Sequence, residues 1–142
     1  MDWCRLVPEL NVSDFRASWR FYVETVGFTV RYRRREPRFA YLEFEGAQLM
    51  IEELHKDSWV PTDIARPFGR GMNLQLECTD VEALRDRVLG AGYELYRGME
   101  DAWDETDEGW SGQRQFIIPD PDGYLLRFCQ YLGDWKRKPP AG

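Results

Sequence analysis

Residues Val12 to Ala17 read VSDFRA, and Cys78 to Ala83 read CTDVEA, at an offset of 66 residues. In both copies Ser or Thr followed by Asp predicts the start of a helix, because these short side chains accept hydrogen bonds from the first free backbone N–H groups. Each helical segment ends at a glycine, Gly27 in the first copy and Gly92 in the second, which is typical of a helix C-terminus. We therefore interpret the chain as two copies of one module.

Alternating polar and apolar residues on both sides of each helix predict strands. Leu10 and Val12 alternate with Glu9 and Asn11 before the first helix, and residues 72–78 alternate in the same way before the second. Three further strands are predicted after each helix, at residues 29–34, 39–44, 47–52, 94–99, 115–118 and 124–130. Each half therefore reads βαβββ, and the prediction is an α+β fold of two curved mixed sheets around a shared cup.

The chain of 142 residues has the length of a single domain, and we expect that domain to contain both modules. The first module is predicted at about residues 4–66 and the second at 71–132, with a connector rich in Pro and Gly between them. Residues 133–142 are expected to form a mobile tail. An ordinary α+β sandwich whose repeat arose by chance is the alternative.

The chain has 19 Lys and Arg residues and 25 Asp and Glu residues, which give a net charge of -6. A general binder of nucleic acid or of anionic membranes needs a net basic surface, so this charge favours a cationic partner. The single histidine, His55, and three widely separated cysteines argue against a histidine-rich metal cage, a CxxC zinc site and disulfide pairs. The sequence shows no signal peptide and no membrane-spanning run, so we expect a cytoplasmic protein.

Two segments carry a resemblance to a known family: VPELNVSDFRASWRFYVETVGF, which begins at Val7, and GQRQFIIPDPDGYLLRF, which begins at Gly112. They resemble the vicinal oxygen chelate superfamily of glyoxalases, bleomycin resistance proteins and dioxygenases, and the similarity runs from about Leu6 to Leu132. Within the superfamily the chain is most similar to bleomycin resistance protein-like members. That resemblance implies a homodimer that exchanges an N-terminal segment and sequesters an antibiotic in grooves shared by the two subunits.

The resemblance also indicates where the superfamily's enzymes hold a divalent metal. Their ligand positions fall on Val7, Asn73 and Arg127 in this sequence. Val7 has no lone pair, the neutral amide of Asn73 is a weak donor, and Arg127 places a permanent positive charge where the cation would lie. We therefore expect metal-free binding with no metal, cofactor or catalytic residue. The alternative is a metal-dependent enzyme with a relocated site, drawing on Glu9, Glu52, Glu77 and His55.

Aromatic side chains sandwich the flat ligand in bleomycin resistance proteins, and the matching positions are Tyr32, Phe39 and Trp110. Trp59 and Trp103 lie, like Trp110, in polar segments that we interpret as loops, where they either line a groove or cap a dimer interface. The predicted ligand-binding residues are Tyr32, Phe39, Tyr41, Glu52, Trp59, Trp103, Trp110 and Arg127. The expected ligand is a small aromatic or cationic molecule, of which a bleomycin-type antibiotic is one example.

Two charged segments each allow two interpretations. Residues 100–108 contain six carboxylates, and they form either a solvated loop or a surface that attracts a cationic ligand. Residues 31–38 contain five arginines, and they either protect an edge strand from unwanted pairing or contact phosphate groups. The acidic net charge favours edge protection for the arginines.

Overall fold

A computed structural model describes residues 2–140, and the chain divides into two compact units. The first unit runs through Met72 and adds Asp120–Tyr124, while the second combines Asn73–Pro119 with the chain from Leu125 onward. The first contains β1 (Glu9–Val12), α1 (Phe15–Trp19), a π-helical segment (Arg20–Val26), β2 (Thr29–Arg35), β3 (Arg38–Phe44) and β4 (Ala47–Glu53). The second contains β5 (Asn73–Glu77), α2 (Val81–Gly90), β6 (Arg97–Thr106), β7 (Gly109–Pro119) and β8 (Leu125–Trp135).

The sheet of the first unit has the strand order β1-β4-β3-β2, in which β1 is parallel to β4 and the other neighbours are antiparallel. One face packs on the helical segment and buries Leu10, Val12 and Leu42, which we call the helix-proximal face. Asp14 caps α1 by accepting the Ala17 N–H, as the VSDFRA pattern predicts. The predicted single helix instead continues as a π-helix, which ends at Gly27 with a φ of 100°.

The sheet of the second unit repeats this arrangement in the order β5-β8-β7-β6, with β5 parallel to β8. Asp80 caps α2 by accepting the Ala83 N–H, and α2 packs on β7 and β8. The helix-proximal face buries Leu76, Phe116 and Ile118. Two four-stranded mixed sheets with few helices confirm the predicted α+β class and the repeated βαβββ order.

The β6–β7 hairpin differs from the sequence prediction. We predicted a strand at 94–99 followed by an acidic loop at 100–108, but β6 begins at Arg97 and continues to Thr106. Regular backbone pairing with β7 holds this charged segment as a strand, and Trp103 lies over Gly112 on the partner strand. A Cβ at Gly112 would stand 2.3 Å from the indole, so glycine is required for this contact.

The last strand also extends further than predicted. Because β8 ends at Trp135, the first three residues of the expected tail are part of a strand, while Ala141 and Gly142 lie outside the described residues. None of the helices in residues 2–140 has the length and apolar character needed to cross a bilayer.

The Asp120–Gly123 turn, which joins β7 to β8, packs within the first unit. The Tyr22 hydroxyl donates to Asp120 Oδ2 at 2.7 Å, and Asp120 Oδ1 accepts the N–H groups of Asp122 and Tyr124. Asp122 accepts hydrogen bonds from Ser13, which precedes the N-cap residue Asp14 of α1. Burial raises the pKa of Asp120 to about 6.

Candidate ligand site

The face of the first sheet that points away from the helices, which we call the helix-distal face, carries an aromatic cluster. Tyr32 on β2 is opposite Tyr41 on β3, and the two rings stack with centroids 5.4 Å apart and planes 22° apart. Phe39 lies two residues before Tyr41 and therefore on the same face, 5.6 Å from the Tyr32 ring. The structure thus brings together three of the predicted aromatic residues.

Trp3 completes this cluster, although the sequence interpretation did not include it. Its indole meets Tyr41 edge-on at 4.9 Å and Tyr32 at 6.1 Å. Gln48 fixes the N-terminal segment over the sheet, because its amide donates to the Asp2 carbonyl and accepts the Cys4 N–H, each at 2.8 Å. The only signal for Trp3 was a large aromatic residue in an otherwise unpatterned N-terminus.

Two rings of the cluster are buried and two are exposed to solvent. Phe39 and Tyr41 are buried, and the Tyr41 hydroxyl donates to Gln48 at 2.6 Å. Tyr32 and Trp3 are 45% and 52% exposed. A flat molecule can therefore contact two exposed rings that a buried aromatic layer holds in place.

Charged groups surround the cluster on the same face. Glu52 is opposite Phe39 in register, and its carboxylate lies 2.9 Å from His55 Nε2 and 3.8 Å from Arg34. The Arg34 guanidinium lies 4.0 Å from the centroid of the Phe39 ring, which is a cation–π contact. Burial, and then the negative charge of Glu52, raise the pKa of Glu9 on the neighbouring part of this face.

On the helix-distal face, three carboxylates and two guanidiniums lie near the aromatic rings. The nearby carboxylates are those of Glu9, Glu43 and Glu52, and the nearby guanidiniums are those of Arg31 and Arg34. Arg31 pairs with Glu43 and also lies 5.4 Å from the Trp3 centroid. The arrangement already places two cations over aromatic faces, which shows that these rings accept positive charge.

The positions equivalent to metal ligands do not fit a metal ion. Val7 precedes β1, Asn73 is the exposed first residue of β5, and Arg127 lies on the helix-distal face of the second sheet beside Gln75. The Arg127 Nε is buried without a hydrogen-bond partner among residues 2–140. Within the same part of the chain no three His, Cys, Asp or Glu side chains group closely enough to hold a metal.

The three tryptophans predicted in loops have different environments. Trp59 does lie outside the helices and strands, and 90% of it is exposed. The loop prediction is wrong for Trp103 and Trp110, which lie on β6 and β7. Trp103 packs edge-on against Trp135 at 6.1 Å, and the Lys138 ammonium lies 5.2 Å from the Trp110 centroid.

The predicted binding residues therefore fall into separate groups. Tyr32, Phe39, Tyr41 and Glu52 share one face of the first sheet, whereas Trp103 and Trp110 belong to the β6–β7 hairpin of the second unit. The residues of the first group lie close together because the pairing of β2, β3 and β4 places alternate residues of neighbouring strands side by side.

Comparison with known proteins agrees with this architecture. The family model described as Glyoxalase/Bleomycin resistance protein/Dioxygenase superfamily matches residues 2–128. A bleomycin resistance protein of Geobacillus stearothermophilus is 27% identical over 131 residues, which cover 89% of this chain and 96% of that protein.

Two solved structures show the same fold. TioX from Micromonospora sp. ML1 has a TM-score of 0.65 at 22% identity, with coverage of 92% of this chain and 100% of that chain. A glyoxalase-related enzyme from Fulvimarina pelagi has a TM-score of 0.62 at 25% identity, with coverage of 87% and 85%. The chain belongs to the glyoxalase/bleomycin resistance protein/dioxygenase superfamily.

Proposed function

We propose that this protein binds and sequesters a small, flat, cationic molecule without a metal ion and without altering it chemically. The stacked Tyr32–Tyr41 pair, with the exposed ring of Trp3 beside it, is the observation that carries the proposal. Aromatic rings held in this way contact a planar ligand over a large area at little entropic cost, because their own packing already restricts them.

The surrounding charges support a cationic ligand. Three carboxylates face two guanidiniums near the rings, and the whole chain has a net charge of -6. Long-range attraction of this kind mainly accelerates association and weakens as salt increases. Binding that is independent of ionic strength would contradict this electrostatic contribution.

A bleomycin is the most informative first probe, because curated relatives of this chain carry the name bleomycin resistance protein. Its planar bithiazole and cationic tail match the aromatic and acidic features of the proposed site. We also propose that Trp59, Trp103, Trp110 and Arg127 contribute to ligand binding and that the protein acts as a homodimer. Light scattering after size-exclusion chromatography measures that stoichiometry directly.

Isothermal titration tests the proposed function. Protein and drug are treated with a chelator, and micromolar protein is then titrated with bleomycin. We expect saturable heat and an unaltered drug by mass spectrometry after release. Absence of heat would exclude this ligand, and a chemically modified drug would exclude simple sequestration.

Metal analysis separates this proposal from the enzyme alternative, in which Glu9, Glu52, Glu77 and His55 would supply a relocated site. Protein purified without chelator is analysed for zinc, manganese and iron. We expect metal far below one equivalent per chain. A stoichiometric metal ion would contradict metal-free binding.

A further inference from the structure

A pocket lies in the first unit between α1 and the edge strand β2. Its volume is about 450 Å³, which is within the range of sites for small molecules. Phe15 and Trp19 from α1 form an apolar part of the lining, and arginines of β2 and the start of β3 form much of the remainder. The lining also includes Arg34 and Phe39 at the margin of the aromatic cluster, but neither Tyr32 nor Tyr41.

Aromatic rings hold two of these arginines in position. The Arg33 guanidinium lies 5.7 Å from the Trp19 centroid, and the Arg38 guanidinium lies 5.5 Å from the Phe15 centroid. A guanidinium stacked on a ring is restricted in direction, so less conformational entropy is lost when it binds an anion. The pocket is therefore organised before a ligand arrives.

The positive charge of the pocket is only partly neutralised by the protein. Arg38 pairs with Glu53 at 2.6 Å. For Arg16, Arg33 and Arg35, no carboxylate of residues 2–140 lies within salt-bridge distance. Three uncompensated guanidiniums around one pocket are a marked local excess in a chain whose net charge is -6.

Edge protection explains only part of this arrangement. A charged residue on an edge strand is enough to discourage pairing with another chain, and β2 is indeed an edge strand. It does not explain why Arg35 is directly opposite Arg38, because like charges at opposed positions destabilise a sheet. An anion that contacts both guanidiniums would remove that repulsion.

We propose that this pocket binds a phosphate monoester of a flat aromatic group, of which a nucleoside monophosphate is the simplest example. Arg33, Arg35 and Arg38 donate to the phosphate oxygens, since guanidinium groups match phosphate geometry through paired N–H donors. The aromatic part of the ligand contacts Phe15 and Trp19. The site goes beyond the proposed sequestration function and does not depend on it.

Titration with adenosine 5′-monophosphate tests the proposal, with adenosine and inorganic phosphate as partial ligands. We expect saturable binding of the monophosphate, at least tenfold weaker binding of phosphate, and no measurable binding of adenosine. No heat at millimolar nucleotide would overturn the proposal. So would equal affinity for adenosine, or much tighter binding of a single-stranded oligonucleotide than of the monophosphate.

A matched pair of double variants locates the binding. Arg33→Gln/Arg35→Gln removes two charges from the pocket, whereas Arg85→Gln/Arg97→Gln removes two from the second unit. We expect the first to weaken nucleotide binding at least tenfold and the second to leave it unchanged, while both retain the bleomycin response of the unmodified protein. Equal weakening by both variants would indicate general electrostatic attraction and overturn the assignment.

Discussion

The two units of this protein share one strand order but present different chemistry on corresponding faces. In the first sheet the helix-distal face carries the aromatic residues Tyr32, Phe39 and Tyr41. In the second sheet the same face carries Gln75, Gln115 and Arg127, and the tryptophans lie further along the β6–β7 hairpin. The buried residues of both helix-proximal faces, among them Leu42 and Ile118, are apolar. The buried apolar pattern therefore maintains the repeated fold, while the residues of the opposite face can differ between the two units.

The turns between the last two strands of each half differ in the same way. Glu45 and Gly46 form an exposed turn with positive φ angles of 47° and 91°. In the Asp120–Gly123 turn, by contrast, Asp120 and Asp122 are buried and bonded to Tyr22 and Ser13. The Gly46 carbonyl accepts a hydrogen bond from the Cys4 thiol at 3.4 Å, whereas the side chains of the Asp120–Gly123 turn bond to the helical part of the first unit.

The largest expected effect is on the free energy of unfolding. It tests whether the buried apolar residues of the two sheets stabilise the fold equally. Leu42→Ala in the first sheet and Ile118→Ala in the second each remove a fully buried side chain. We expect each to lower the free energy of unfolding by about 2–5 kcal/mol, measured by urea denaturation. Leu89→Ala is the control, because 45% of Leu89 is exposed, and its effect should stay below about 1 kcal/mol. A substantial loss for only one of the buried positions would show that the faces are not equivalent.

The buried Asp120–Gly123 turn predicts a pH dependence of the free energy of unfolding. Because the pKa of Asp120 is about 6 in the folded chain and near 3.8 ordinarily, the folded state binds this proton more tightly than the unfolded state. The loss of this proton from Asp120 therefore lowers the free energy of unfolding by about 3 kcal/mol in total as the pH rises from about 4 to 6. Asp120→Asn should remove that decline, measured by denaturant unfolding across this pH range.

Asp101→Asn is the matched control for this measurement. The Arg114 side chain holds the pKa of Asp101 below its ordinary value, so its effect on stability is confined to pH below about 4. The decline between pH 4 and 6 should persist in this variant. If the Asp120→Asn variant also shows this decline in stability, a group other than Asp120 causes it.

A smaller effect is expected from Trp110, which tests whether the hairpin of the second unit contributes to binding. Trp110→Ala should weaken bleomycin binding by about 1–3 kcal/mol if the indole contacts the ligand. Lys138→Ala should leave the affinity for bleomycin unchanged or increase it. The Lys138 ammonium lies over the Trp110 ring, and the substitution removes it and exposes the ring. Isothermal titration of both variants measures the difference. An unchanged affinity for Trp110→Ala would limit the site to the first unit.

The repeated fold follows largely from local signals in the sequence. The helix caps at Asp14 and Asp80 and the alternation of Leu10 and Val12 are local signals, so they predicted the repeat and both sheets. Strands were predicted at 94–99 and 115–118, but residues 100–108 were predicted as a loop because their charged residues do not alternate with apolar ones. Pairing with β7 holds most of this segment as a strand.

The candidate site was predicted in part. Alternation and the family resemblance indicated Tyr32, Phe39 and Tyr41, but the cross-strand register that stacks Tyr32 on Tyr41 is a non-local property. Trp3 lies more than 25 residues before its aromatic partners, and non-local contacts with Gln48 and Arg31 hold the N-terminal segment beside them. No local pattern encodes such a contact.

We propose that the exposed ring of Tyr32 on the first sheet binds the ligand, and a pair of tyrosine variants tests this role. Tyr32 is 45% exposed in the aromatic cluster, and Tyr96 is 63% exposed in the second unit, so both are surface tyrosines. Bleomycin is titrated into chelator-treated Tyr32→Ala, Tyr96→Ala and unmodified protein. We predict affinity about tenfold lower for Tyr32→Ala, as expected for one stacked aromatic ring, and unchanged for Tyr96→Ala. Unchanged affinity in Tyr32→Ala, or an equal loss in both variants, would contradict the claim.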